Sequence, residues 1–344
     1  MKNIIVLVTG GTFAAIERPD GVRELGDTQR FGDRLNEIAN SIFDNVHIET
    51  VSPLFTFSEN MTISKWQTIL ASIRHNAFKY DGIIVTHGSD TLAYTASMIA
   101  LSTQGYNIPI VLVASAQPIG HNNCNGIVNF VAALQLIVNT SCKGTFVAYS
   151  YDNINTQIYL AERVLQSQSF VDRYASFGSG IDFGYIQQDG ALVPQDLQLY
   201  DIKRQLSGST PLLETIVDTT QLDSNILVIT PHVGLDYSVF DVSKVDTVIV
   251  NPYHSASYCW LEDGNTQSLS VLYDKCSQYN IPLILSPCRV DAPRYNSIVN
   301  DIIKLCNVSL ESTFAKVLWA NTLYTVGCKE WIQFVNSEIA SETI

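Results

Sequence analysis

Two short runs in the chain set hydroxyls, a carboxylate and glycines directly after apolar stretches. The first is Thr9-Gly10-Gly11-Thr12, which follows Ile4-Ile5-Val6-Leu7-Val8. The second is His87-Gly88-Ser89-Asp90-Thr91, which follows Ile83-Ile84-Val85. Two adjacent glycines let a chain turn tightly and bring its backbone close to a ligand. The spaced glycines of a dinucleotide fingerprint are absent, and so is the lysine of a phosphate loop. A hydroxyl beside a Gly-rich strand end, with a second hydroxyl–carboxylate pair elsewhere, fits nucleophilic acyl chemistry. The same residues also serve an ordinary strand–turn–helix connection with polar caps, and residue types alone leave both readings open.

The elements that must hold these runs are legible around them. Ile83-Ile84-Val85 is β-branched throughout and bounded by Asp81-Gly82 and Gly88, as a strand buried on both faces of a parallel sheet reads. The spacing of Leu92, Ala96, Ile99 and Ala100 predicts a helix after the turn, with Asp90 or Ser89 as its cap. Such a turn lies at the carboxyl edge of the sheet, where open α/β folds bind ligands, and aims helix N–H groups at an anion or oxyanion. Further strands are expected at 46–51, 108–114 and 144–149, with another short one beginning at Ile158, and helices at 33–42, 64–78 and 127–138. Glu17 to Gly32 reads as a polar loop with a turn at Arg18-Pro19-Asp20-Gly21, the usual form of an active-site lid. The polar stretch from Leu192 to Leu213 marks a domain boundary. The expected division is an N-terminal catalytic domain, 1–200, a linker, 201–213, and a C-terminal α/β domain, 214–344. In the second domain, strands at 225–230, 247–250 and 281–285 and a helix at 268–279 imply a smaller parallel sheet.

A chain of 344 residues with 46% hydrophobic and 15% charged residues is ample for two buried cores. The net charge of -13 argues against nucleic acid or an anionic membrane as partner. No signal-peptide pattern and no apolar run long enough to span a bilayer is read from the sequence, so a cytoplasmic protein is expected. Seven cysteines, with no Cys-x-x-Cys pair, read as reduced thiols, and the six histidines do not cluster with them at zinc-ligand spacing. No metal is expected.

The two opening runs, in this order and spacing, resemble the two signatures of the bacterial-type L-asparaginase family, which also includes the glutamine-hydrolysing subunit of the archaeal glutamyl-tRNA amidotransferase. Ser58-Glu59-Asn60-Met61-Thr62 resembles the family's substrate-binding stretch, and Asp172-Arg173-Tyr174-Ala175-Ser176 its Asp-x-Phe-x-Ser segment. The resemblance is clear from residue 1 to about 180. It implies a two-domain α/β fold with a larger N-terminal parallel-sheet domain that carries the site. It implies Thr12 as nucleophile, Ser89 in place of a second threonine, and Asp90 orienting that hydroxyl and binding the substrate's amino group. Ser58 and Glu59 would hold substrate, with Gly11, Gly88 and Ser115 lining the pocket and backbone N–H groups near Thr12 and Ser89 meeting an oxyanion. No cofactor is implied, and a homodimer or homotetramer is expected.

Two departures bear on activity. The family's lysine, which pairs with the second hydroxyl and the aspartate, falls at Leu165 or Gln166, and neither is a base. Arg163, the cation nearby, stays protonated at any working pH. The family's loop tyrosine falls near Val22, and Glu17, Asp20 and Glu24 are the loop carboxylates left to act as a base. The expected activity is hydrolysis of a small asparagine-like or glutamine-like carboxamide. The alternatives are a catalytically weakened homologue that binds a small amino acid or peptide, and an amidase acting on an amide within a larger molecule.

Overall fold

The computed structural model describes residues 1–178, 180, 182–205, 221–261, 264–290 and 302–344. The chain divides into two compact units, Met1–Thr220 and Gln221–Ile344. The first unit is built on β1 (Lys2–Val8), whose Ile4 to Val8 are at most 2% exposed. A hairpin follows, β2 (Ala15–Glu17) and β3 (Arg23–Leu25), then α1 (Thr28–Ile42), β4 (Val46–Val51) and α2 (Ile63–Asn76). Next come β5 (Gly82–Thr86), α3 (Leu92–Ser102), β6 (Pro109–Val113), α4 (Gly126–Asn139) and β7 (Gly144–Tyr149). β8 (Thr156–Leu160) is followed by a small ribbon of β9 (Val164–Leu165) and β10 (Ala175–Ser176). β11 (Gly184–Ile186), β12 (Leu192–Pro194) and α5 (Leu197–Gln205) complete the unit's described elements.

The sheet order is β12-β11-β8-β7-β6-β5-β1-β4. β4, β1, β5, β6 and β7 are parallel, and β8, β11 and β12 extend the sheet antiparallel. α1 packs on α4 and α2 on α3, so helices cover both faces, which is why the central strands read as continuous apolar runs. Trp66 of α2 donates its indole N–H to Thr95 Oγ1 of α3 at 2.9 Å, satisfying the one polar atom of a buried aromatic.

The second unit holds β13 (Ile226–Ile229), β14 (Thr247–Val250), α6 (Leu269–Gln278), β15 (Leu283–Cys288), β16 (Ile303–Cys306), α7 (Leu310–Leu323) and α8 (Lys329–Asn336). Its strands lie in sequence order and pair in parallel, as the alternation of strands and helices implied. It has a core of its own around Val248, Leu272 and Leu285.

The polar stretch read as a loop from Glu17 to Gly32 is instead largely structured. The turn at Arg18–Gly21 closes the β2–β3 hairpin, with Arg18 N–H donating to Val22 O and Gly21 at φ 81°. α1 begins five residues before Asp33, because Asp27 caps it by accepting the Arg30 N–H at 2.7 Å. The boundary stretch from Leu192 is also structured at its start, in β12 and α5. Of the expected linker, residues 201–205 are helical and residues 206–213 lie outside the described residues. α5 is held by a buried Lys203–Glu162 pair at 2.8 Å.

Candidate active site

β1 and β5 are neighbours, with Val8 opposite Thr86. The chain leaves β1 through α1 toward β4 on one side, and leaves β5 through α3 toward β6 on the other. The carboxyl ends of β1 and β5 are therefore the point where the winding reverses, and a crevice opens there in doubly wound sheets. Both glycine-containing runs sit at that point.

Backbone contacts lock the two runs together. Thr9 N–H donates to Thr86 Oγ1 at 3.3 Å, and the Thr9 hydroxyl donates to the Thr86 carbonyl. Gly11 N–H donates to Thr56 O, and Thr56 N–H to Thr9 O, each at 3.0 Å, which ties in the segment leading to Ser58. Gly11 has φ 76° and ψ -178°, a conformation nearly confined to glycine. A Cβ there would lie 2.5 Å from Gly88 Cα and 2.6 Å from the His87 carbonyl carbon. A Cβ on Gly88 would lie 2.7 Å from Ser58 Cβ. The glycines are what allow the three segments to touch.

Thr12 opens a single 3-10 turn, Thr12–Ala14. Phe13 anchors it, buried edge-on against Phe31 of α1 at 5.1 Å and against Gly126 at the start of α4. Thr12 itself is half-buried, and its hydroxyl makes no hydrogen bond among the described residues. Ser58 is buried; its Oγ accepts the Asp90 N–H at 3.1 Å, and its carbonyl accepts from the Thr91 hydroxyl at 2.9 Å. Glu59, beside it, is exposed.

The helix cap expected at Ser89 or Asp90 is not found there. The residue capping α3 is Thr91, with no side-chain capping bond. Ser89 is half-buried and Asp90 exposed, and neither side chain is engaged among the described residues. Their carbonyls are held from the other side: Tyr174 donates its hydroxyl to Ser89 O at 2.9 Å, and the Gln166 amide donates to Asp90 O. Leu165 lies in the β9–β10 ribbon, opposite Ala175. Of the two residues that sequence offered for the lysine position, Gln166 is the one brought to Asp90.

A cavity of about 260 Å³ opens beside this turn, lined in part by Ser89, Asp90, Tyr149, Gln166, Asp172 and Tyr174. Tyr149 and Tyr174 meet edge-on at 4.9 Å. Burial pushes the Tyr149 phenol up to about 12 and the Tyr174 phenol well above its usual value, with nearby carboxylates adding to both. Both phenols therefore keep their protons at neutral pH, and that of Tyr174 is the donor to Ser89 O. Neither tyrosine was singled out as a site residue in the sequence. The signal that could have found Tyr149 is its place as the last residue of an apolar strand, at the sheet's ligand edge.

His87 is buried. Its Nδ1 lies 2.7 Å from the Gly88 carbonyl, which can only accept, so Nδ1 carries the proton. Nε2 has no partner among the described residues, and burial pushes the imidazole down to about 4.

Ser115, expected to line the substrate pocket, is fully buried in a joint of its own. Its Oγ lies 2.6 Å from Gln117 O and 3.0 Å from Asn125 Oδ1, and it accepts the Gly126 N–H at 3.1 Å. That hydroxyl fixes the start of α4, against which Phe13 packs. The hairpin carboxylates are engaged in exposed ion pairs: Glu17 with Arg23 at 3.7 Å, and Asp20 and Glu24 with Arg18 at 2.9 and 3.9 Å; Glu17 also lies 3.5 Å from His121 Nε2. No group of three or more His, Cys, Asp or Glu side chains among the described residues could hold a metal ion.

Comparison with known proteins identifies the family and the fold. The model of the asparaginase N-terminal domain matches residues 3–190, which include every residue named above at the two strand ends. An L-asparaginase of Thermococcus kodakarensis is 25% identical over 326 residues, covering 92% of each chain. A glutamyl-tRNA(Gln) amidotransferase subunit from Methanococcus maripaludis is 24% identical over 241 residues, covering 70% of this chain and 56% of that one. The solved structure of the thermostable Thermococcus kodakarensis L-asparaginase superposes with a TM-score of 0.79 at 23% identity, over 99% of both chains, and shows the shared two-domain fold. With more than half of its length matched by the family model, the chain belongs to the asparaginase family of amidohydrolases.

Proposed function

We propose that this chain releases ammonia from the terminal carboxamide of an asparagine-like or glutamine-like compound, with Thr12 as nucleophile. The observation that carries the reading is the placement of an unengaged Thr12 hydroxyl after β1 and of Ser89 and Asp90 after its neighbour β5, at the switch point of the sheet. In the reaction, Thr12 Oγ bonds to the amide carbon and gives up its proton. The C–N bond then breaks, and the nitrogen takes a proton and leaves as ammonia. Water attacks the resulting ester, releases the carboxylic acid and restores the Thr12 hydroxyl.

The backbone N–H groups of the Gly11–Thr12 and Gly88–Ser89 turns are assigned to the oxyanion, and Ser58, Glu59 and Asp90 to the substrate's charged end. Ser89 and Asp90 are assigned the proton path. The Gln166 amide is neither an acid nor a base at neutral pH, and the two phenols beside them hold their protons. The reaction needs no cofactor. We further propose a cytoplasmic homodimer or homotetramer; no described helix is long and apolar enough to cross a membrane.

One observation favours a second reading, in which the chain binds a small amino acid or peptide without turnover: the residue on Asp90 is a neutral amide rather than a base. Ammonia release from L-asparagine and L-glutamine by the protein and by Thr12→Ala separates the two. Loss of nucleophilic attack should lower the rate at least about a hundredfold. A Thr12→Ala variant as active as the parent would end the nucleophile assignment, and an inactive parent that still binds these amino acids would favour the second reading.

A further inference from the structure

The cavity beside Ser89 and Asp90 has a charge balance of its own. Asp90 and Asp172 both line it, and neither carboxylate has an ion-pair or hydrogen-bond partner among the described residues. No lysine, arginine or histidine is among the described residues that line it. Arg173, the next residue after Asp172, is turned away, with its guanidinium over the Tyr151 ring at 4.9 Å. The rest of the wall is neutral: two tyrosine rings, the Gln166 amide and serine hydroxyls. Phe170, a fully exposed aromatic, stands in the lining segment that carries Asp172. At about 260 Å³ the space exceeds that of a single water several-fold and suits an organic group of several heavy atoms.

We propose that this cavity is a subsite for a positively charged organic group, an alkylammonium or guanidinium, carried by the amide substrate. Asp172 supplies the charge, with Asp90 left to the substrate's own amino group; the tyrosine and Phe170 rings supply faces for the cation and its aliphatic stem, and the amide and hydroxyls complete its hydrogen bonds. The inference rests on the amidase reading for its substrate but not for its ligand. It narrows that substrate to carboxamides larger than free asparagine that bear a cation.

Two arms test it. Calorimetric binding of butylammonium and agmatine is compared with that of 1-butanol at low ionic strength, using the full chain, Asp172→Asn and Asp172→Lys. Asp172 is exposed and unengaged among the described residues, so both variants should fold. The cations should bind and butanol should not. Asp172→Asn should weaken cation binding about tenfold, Asp172→Lys should abolish it, and added salt should erode it. Equal binding of butanol, no cation binding, or indifference to Asp172 would overturn the subsite.

The second arm measures ammonia release from dipeptides that join asparagine to lysine or to norleucine. A preference of about tenfold or more in kcat/KM for the lysine peptide, lost in Asp172→Asn, is expected. Cation binding without hydrolysis of any amide would leave the subsite standing and sink the amidase reading. Hydrolysis without preference and without cation binding would do the reverse. Faster turnover of the neutral peptide when free butylammonium is added would show that the cation can come from a separate molecule.

Discussion

Replacing Gly11 by alanine should open the site's frame from the inside. Two costs are readable from the geometry. The backbone at φ 76° and ψ -178° lies in a region nearly closed to residues with a Cβ, which costs about 1–3 kcal/mol. The added carbon would also lie 2.5 Å from Gly88 Cα and 2.6 Å from the His87 carbonyl carbon. Those are backbone atoms and cannot swing away, so relief requires β1 and β5 to part at their carboxyl ends, at an overpacking cost of about 1–3 kcal/mol. The sum is about 4 kcal/mol, or roughly a thousandfold in a local opening equilibrium. Gly21 is the control: its φ is 81° and nothing lies within 4 Å of its Cβ position, so Gly21→Ala carries the conformational cost alone, about 1–2 kcal/mol. Because the chain has two compact units, a single unfolding free energy is a poor readout, and native-state amide exchange across β1 and β5 is the better one. Gly11→Ala should accelerate exchange there by about three orders of magnitude. Gly21→Ala should leave those strands unchanged and quicken exchange in the hairpin only. Equal protection of β1 and β5 in the two variants would refute the claim that the Gly11–Gly88 contact holds the frame.

Two further outcomes follow from buried charge. His87, with an imidazole pKa of 6.5 when exposed and about 4 in the fold, leaves the unfolded chain binding more protons between those values, so stability rises with pH there. Its contribution is complete above pH 6.5, and about 3 kcal/mol of it is lost by pH 4; exchange protection of the β5 amides, corrected for the intrinsic pH dependence of exchange, should show this slope in the parent and a shallower one in His87→Gln, and equal slopes would refute it. In the second unit, Lys316 and Glu342 form a buried pair, and Glu342 also accepts the Ala340 N–H at 2.7 Å. Burial pushes the Glu342 carboxyl up, but the Lys316 charge and these hydrogen bonds outweigh it and hold it below 4.5, so its contribution is present above that pH and lost as pH falls through the lower folded value. Lys316→Met should cost about 3–5 kcal/mol at pH 7, mostly recovered when Glu342→Gln is added; Trp319 and Trp331 fluorescence reads the unit, and a silent single variant would refute the pairing argument.

The central parallel strands were legible because they are buried on both faces and so carry unbroken apolar runs, as in Ile83-Ile84-Val85 and Ile110 to Val113, while the edge strand β4 was legible from its alternation. The two turns were legible because glycine and hydroxyl residues follow those runs directly. The hairpin of β2 and β3 was not, because its strands are three residues each and mostly exposed, leaving no apolar signal apart from the turn between them. Ser115, which the resemblance placed in the pocket lining, has a setting that its type does not reveal: only the geometry shows its buried hydroxyl engaged with Asn125 and Gly126. The cavity itself was illegible, since it forms where the segment from Gln166 to Tyr174, between β9 and β10, meets Tyr149 at the end of β7 and Ser89 and Asp90 after β5, which their order along the chain does not bring together.

The frame and the activation of the nucleophile are physically separable here. The frame is made of backbone contacts among Thr9 to Gly11, Thr56 to Ser58 and His87 to Gly88, and it depends on glycines, not on the residue at position 166. Position 166 meets that frame through a side-chain donor on the Asp90 carbonyl. An amide can make that bond as well as an ammonium can, so a glutamine there keeps the turn in place while supplying no charge and no base. What it leaves behind is a polar space with two unneutralised carboxylates directly beside the turn that carries Ser89. A cation brought by the substrate would lie where none of the described residues that line the cavity provides one, close enough to Asp90 to bias the proton path there. In that arrangement the charge that completes the site arrives with the molecule to be hydrolysed, and selectivity for that molecule is built into the same step that activates the nucleophile.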